Sequence, residues 1–176
     1  PKVRYYCILM AWEHGNLKTG TKTYYNITCI RKKVYRNPRL RRWQQMLKAY
    51  KYRIYPTNEQ KEQIAKTFGC CRFVYNRTLA YRKEAYEKEK KNVNKTNCNN
   101  YCNQVLKKEY GWLKEVDKFA LTNAIYNMDA AYQKFFKEHT GYPKFKSKHD
   151  GHKSYTTNFT NGNITADFDG GKVKLP

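Results

Sequence analysis

Across Lys118–Glu138 the apolar residues Leu121, Ala124, Ile125, Met128, Ala131, Tyr132 and Phe135 recur three or four apart, with Asn123, Asn127, Gln133 and Lys134 between them. That period draws one apolar stripe along an α-helix, and the stripe reads as core. Asp117 stands where a carboxylate can accept from unpaired first-turn amides. Upstream, residues 47–55 alternate and are rich in aromatics, which predicts a β-strand ended by Pro56. Thr57-Asn58-Glu59-Gln60 then reads as a capping box. It opens a short helix with Ile64, Ala65 and Phe68 inward, expected to stop at Gly69. A second helix is expected from about Cys70, carrying Cys71, Val74, Thr78, Tyr81 and Ala85, with Arg72, Arg77, Arg82 and Lys83 among its other positions. Helix, glycine turn, basic helix is the outline of a helix-turn-helix. It fits a packing hairpin with a solvated charged face as well as a groove-reading helix. Residues 88–100 read as a polar loop, 101–110 as a third helix, and Gly111 as the turn into Trp112. At the far end, residues 155–160, 164–168 and 172–175 alternate around turns at Asn161-Gly162-Asn163 and Asp169-Gly170-Gly171. The pattern is α+β: a small antiparallel sheet interrupted by a helical insertion.

Charge changes that picture. Lys and Arg number 36 against 14 acids, a net +22 over 176 residues, which calls for a polyanionic partner. Seventeen tyrosines favour nucleic acid, because cations contact phosphates while flat rings stack on bases. Residues 141–148 concentrate both features. There Lys144, Lys146 and Lys148 alternate with Tyr142 and Phe145 on a segment stiffened by Pro143. Such a strip can pair lysines with phosphates, or be a basic loop pinned by two buried rings, or both. Residues 1–45 differ from the rest, with eleven Lys and Arg against the single acid Glu13 and no sustained period. They read as a basic arm along a phosphate backbone, or as non-native upstream sequence read through in frame before Met46. The second reading is preferred, with poor order expected under either.

Catalytic chemistry is hard to find. There is no phosphate-binding G-x-x-x-x-G-K-[ST] loop and no G-x-S-x-G elbow. The glutamates fall opposite lysines at helical spacing, as in Glu84 with Lys88. Cysteines 7, 29, 70, 71, 98 and 102 form no C-x-x-C pair, so reduced, buried thiols in a reducing cytosol are expected. His149 and His152 read as solvated loop residues. No metal ligands and no catalytic residues are assigned, and no apolar run is long enough to span a membrane.

From Met46 onward the chain resembles the N-terminal part of TnpB, the transposon-encoded RNA-guided DNA endonuclease also called the OrfB transposase. The strings that carry the resemblance include Tyr52-Arg53-Ile54-Tyr55-Pro56-Thr57, Cys71-Arg72-Phe73-Val74-Tyr75-Asn76, Trp112-Leu113-Lys114-Glu115-Val116-Asp117-Lys118-Phe119-Ala120-Leu121, Gly141-Tyr142-Pro143-Lys144-Phe145-Lys146, Phe159-Thr160-Asn161 and Val173-Lys174-Leu175-Pro176. The resemblance implies a wedge-like antiparallel β-barrel formed by residues 46–56 and 149–176, with residues 57–148 inserted as a helical recognition lobe containing the helix-turn-helix. It implies a prokaryotic, cytoplasmic, nucleoid-associated protein whose partners are a guide RNA from the transposon end and a double-stranded DNA target, with no small-molecule substrate. Base pairing would supply most sequence choice, and the protein would read only a short adjacent DNA motif. Lys118, Thr160 and Asn161 match family positions that face that motif, and Thr122 stands where the best-known member has a longer amide. Tyr52, Arg53, Arg72, Arg77 and the strip residues Tyr142, Lys144, Phe145, Lys146 and Lys148 are expected to contact RNA or backbone phosphates. The family's nuclease domain and zinc ribbon, with their Mg and Zn, would lie beyond Pro176, so residues 1–176 are expected to bind without cutting. A standalone helix-turn-helix regulator and a general RNA-binding module are the alternatives.

Overall fold

The capping box at Thr57 forms as the sequence requires. The Thr57 amide donates to Gln60 Oε1 at 2.9 Å, and the Gln60 amide donates to Thr57 Oγ1 at 3.4 Å. The helix that follows, α1 (Asn58–Glu89), runs for 32 residues in this computed structural model. The structure describes the backbone of residues 5–13, 25–26, 46–150, 153–167 and 170–176, and side chains from residue 53 onward within those ranges. The turn expected at Gly69 is absent, because α1 passes straight through it. A helix-ending glycine must adopt positive φ. Among the described glycines only Gly162 and Gly171 do so, and α1 instead ends at left-handed Lys90, φ 53°. Mid-helix glycine costs about 1 kcal/mol relative to alanine, too little to break a helix whose buried face continues on both sides. Thr67, Cys70, Cys71, Val74, Tyr75, Thr78, Leu79 and Arg82 form that face.

The turn lies farther on. Residues 90–94 connect α1 to α2 (Lys95–Tyr101), where the Asn94 side chain accepts from the Asn97 amide at 2.9 Å. The expected loop over 88–100 is therefore mostly helix, and its asparagines had concealed an N-cap. Helical backbone continues through a π turn, Cys102–Leu106, into the single turn α3 (Lys107–Glu109). Cys98, Cys102 and Leu106, four apart, are buried, whereas Val105 is exposed. A 3₁₀ turn, Gly111–Glu115, buries Leu113 and leads to Asp117, whose carboxylate accepts from the Phe119 and Ala120 amides at 3.1 Å each. Helix α4 (Lys118–Glu138) buries Ala120, Leu121, Ala124, Ile125, Met128 and Tyr132. Ala131 and Phe135, at the stripe's edge, are half-buried. The stripe packs on α1 and α2, so Val74, Leu79, Cys98, Leu106, Leu113 and Ile125 share one core.

These helices and the segment after them form one compact unit, Thr57–Thr156; Pro1–Pro56 together with Thr157–Pro176 forms another. In the second unit β1 (Tyr5–Glu13), β2 (Tyr25–Asn26) and β3 (Met46–Ile54) form an antiparallel sheet in the order β2-β1-β3. Its register runs from Tyr5 opposite Ile54 to Glu13 opposite Met46. The strand expected over 47–55 is thus present, paired with a stretch of the unmatched basic segment. A second sheet is the hairpin β4 (Thr165–Asp167) with β5 (Lys172–Lys174), Ala166 opposite Val173. Residues 155–160, expected to alternate as a strand, have no strand of their own. The turn after them is as expected: Asn161 and Gly162 take φ of 50° and 74°, and the Asn163 amide donates to Thr160 O at 3.1 Å. The architecture is α+β, with the described strands divided between two sheets; a closed barrel is not among their pairings.

Candidate nucleic-acid interface

The basic strip 141–148 is fastened to α1 by one side chain. Asn76 Nδ2 donates to Lys146 O at 3.0 Å while Asn76 Oδ1 accepts from the Lys146 amide at 2.8 Å. This two-way bond pairs a helix side chain with extended backbone much as a neighbouring strand would, satisfying both main-chain groups of Lys146. Before it, Pro143 is buried, and the Tyr142 ring stands edge-on to Tyr132 and Phe135, with centroids 5.5 Å away in both cases. The hydroxyls of Tyr132 and Tyr142 share a hydrogen bond. Burial first, and that bond second, push the Tyr132 phenol well above its ordinary range. The pinning is therefore done by Pro143, the Tyr142 edge and the Lys146 backbone, not by two buried rings; Tyr142 is 43% exposed and Phe145 57%. Lys144, Phe145 and Lys148 point to solvent, and Lys146 Nζ lies 4.6 Å from the Tyr75 ring centre.

The arginines of α1 divide. Arg77 is exposed and Arg72 half-buried beside the strip. Arg82 is 8% exposed, bonds Asp129 Oδ1 at 2.8 Å and stacks 4.1 Å above the Tyr132 ring. Sequence reasoning grouped Arg82 with the surface cations and missed Asp129. The available signal was spacing, since position 82 continues the buried series 71, 74, 75, 78, 79.

Lys118 opens α4, exposed, with its ammonium 5.1 Å from the Phe119 ring. One turn on, Thr122 Oγ1 donates to Lys118 O at 3.1 Å, so its hydroxyl proton is committed and only acceptor lone pairs remain for a ligand. These two share a helix face. Thr160 and Asn161 belong to the other unit, where the Thr160 amide donates to Asn163 Oδ1 at 2.7 Å and Asn161 is exposed at the turn. Arg53 is exposed, 5.1 Å from the centre of the Tyr55 ring. The Tyr52 side chain lies outside the described residues, as do His152 and the side chains of Cys7 and Cys29.

Cys70, Cys71, Cys98 and Cys102 are free and buried. Burial raises every one of these thiols, Cys71 to about 12 and Cys98 to about 11, which leaves them protonated and unreactive near neutrality. Among the described residues no three His, Cys, Asp or Glu side chains gather as metal ligands, and no helix is long and apolar enough to cross a membrane. Asp167, beside the second turn, accepts from the Gly170 amide at 2.9 Å, which is turn chemistry.

A family model described as a helix-turn-helix domain, of the OrfB type, matches residues 46–91, that is β3 and α1. The chain is 36% identical over 101 residues to a Streptomyces pristinaespiralis protein named as an RNA-guided DNA endonuclease, covering 57% of this chain and 25% of that protein. It is 38% identical over 99 residues to virulence protein VsdF of Salmonella dublin, covering 52% of this chain and 83% of VsdF. To InsQ of Escherichia coli K12, also named as an RNA-guided DNA endonuclease, it is 28% identical over 98 residues, 55% of this chain and 24% of InsQ. The match spans about a quarter of the length of the two endonuclease relatives. The chain belongs to the TnpB family, of which it carries the N-terminal, OrfB-type region.

Proposed function

We propose that this chain is a nucleic-acid-binding region of a TnpB-like RNA-guided endonuclease, clasping a guide RNA and placing a short DNA motif beside its target. The observation that carries the reading is the clamped strip. Asn76 fixes the backbone of Lys146, and Lys144, Phe145 and Lys148 then face outward as a row of cations with a ring among them. A strip held before the ligand arrives loses less freedom on binding. A chain of net +22 supplies the long-range attraction. The names of the two endonuclease relatives support RNA and DNA as the partners. The grouping of Pro1–Pro56 with Thr157–Pro176 supports a wedge interrupted by the helical lobe. In this reading Tyr52, Arg53, Arg72, Arg77 and the strip hold RNA, while Lys118, Thr122, Thr160 and Asn161 face the DNA motif, in the nucleoid of a prokaryotic cell.

The test is a filter-binding series with the full chain, transposon-end RNA and duplexes differing in the motif. Lys118→Ala is expected to cost about 1–3 kcal/mol on the preferred duplex and little on others. An equal loss on every duplex would remove Lys118 from motif reading, and no RNA affinity beyond that of any polyanion would end the proposal. VsdF favours a second reading, a shorter nucleic-acid-binding module acting alone, because the match covers 83% of it. Tight duplex binding without RNA would select that one.

A further inference from the structure

Between α1 and residues 146–150 and 153–154 lies a small, open cleft. Its floor is Phe68 and Cys71; its rim carries Arg72, Lys146 and Lys153, the hydroxyls of Ser147 and Ser154, and one carboxylate, Asp150. Three cations against one anion leave the cleft positive. Guanidinium, ammonium and hydroxyl donors lining one cleft beside apolar side chains are the chemistry of phosphate recognition, since charge-assisted bonds to phosphate oxygens are the strong ones. Ser147 Oγ accepts from the His149 amide at 3.1 Å, which uses one of its lone pairs and leaves its O–H to donate. Arg72 is half-buried against the floor, and Asn76, one turn along the same helix, holds the main chain of Lys146. The Arg72 side chain and the main chain of Lys146 are thus placed in advance.

We propose that this cleft seats a single phosphate group, with Arg72, Lys146 and Lys153 as its charged ligands and Ser147 and Ser154 as hydroxyl donors. The inference rests on the nucleic-acid reading only for the source of the phosphate. An internal phosphodiester, a terminal phosphomonoester and inorganic phosphate share the required chemistry.

The experiment uses the full chain in two arms. In the first, inorganic phosphate is titrated while side-chain N–H resonances of Arg72 and Lys153 are followed by NMR, with exposed Lys88 as reference. Saturable shifts at Arg72 and Lys153, absent at Lys88 and lost in Arg72→Gln and in Lys153→Ala, are expected. Shifts that never saturate, or that match those at Lys88, overturn the cleft. Lys153 is exposed, so its variant tests the site even if Arg72→Gln folds poorly. In the second arm, one RNA with a 5′-phosphate and its 5′-hydroxyl twin are bound over a salt series. Arg72→Gln is expected to flatten the slope of log K on log[salt] by about 0.7, one phosphate on a single strand. Flattening for both RNAs assigns the cleft to an internal phosphodiester, and flattening for the 5′-phosphate RNA alone assigns it to a terminus. An unchanged slope with no saturable phosphate binding sinks the cleft and leaves the nucleic-acid reading standing. Saturable phosphate binding by a chain without RNA affinity does the reverse.

Discussion

Arg72 and Arg82 sit on one helix, ten residues apart, and do opposite things. Around Arg82 every group is turned inward: Asp129 neutralises it, the Tyr132 ring lies beneath it, and 8% of it reaches solvent. Around Arg72 the polar groups are turned outward on a rim, and the internal bonding is done by its neighbour Asn76. Charge alone therefore says little about function in a chain with 36 cations. What separates the two regions is whether a cation's partner is already inside the protein. Arg82 has its anion; the strip and the cleft rim present cations in excess.

The strongest way to break this contrast is at Asp129. Asp129→Ala strands a buried guanidinium and is expected to cost about 3–5 kcal/mol. In urea titration of the full chain the midpoint should fall with no change in slope. Replacing both partners, Arg82→Met with Asp129→Leu, should recover most of that loss and leave RNA affinity within about twofold, because a paired internal ion is not a ligand contact. If the double variant kept its stability but lost RNA binding, Arg82 would belong with the surface cations and the contrast would fail.

Asn76 sharpens the other side. Asn76→Ala removes two hydrogen bonds that are open to water, so a stability loss of about 1 kcal/mol is expected. The effect on binding should be larger, roughly tenfold in RNA affinity, because Lys144, Phe145 and Lys148 would have to be ordered on association. The salt slope should not change, since no phosphate contact is deleted. A reduced slope would mean that Asn76 itself touches nucleic acid and is no mere clamp. Asn76→Asp, which keeps the acceptor and loses the donor, should fall no nearer to wild type than the alanine variant.

The sequence showed the stripe of α4, the Asp117 cap, the Thr57 capping box, the strand before Pro56 and the Asn161-Gly162 turn. Each depends on neighbours within a few residues, so local pattern suffices. The contacts that separate outward-facing cations from internal ones span 70 residues in Asn76 with Lys146 and 47 in Arg82 with Asp129. Periodicity carries no information about such pairs. Asparagine misled at one place, since Asn94 looks like loop chemistry and serves instead as a helix cap. Residues 155–160 misled differently: they alternate, but Asn163 Nδ2 ties off the Asn158 carbonyl at 3.0 Å before a strand can form.

Gly69 gives the smallest effect and the cleanest sign. Phe68 and Arg72, floor and rim of the same cleft, straddle it, so both belong to one rod only if α1 is helical there. A Cβ added at Gly69 would meet nothing within 4 Å, and its φ is not positive. In a continuous helix Gly69→Ala should therefore raise stability by about 1 kcal/mol, as the alanine loses less backbone freedom and clashes with no neighbour. In a helix-turn-helix pivoting at this residue the glycine would hold a left-handed conformation, and the same substitution would destabilise by at least as much. The urea midpoint of the variant thus moves in opposite directions for the two geometries. A shift downward would restore the turn at Gly69, uncouple Phe68 from Arg72, and with them remove the rigid wall on which the outward-facing half of the contrast depends.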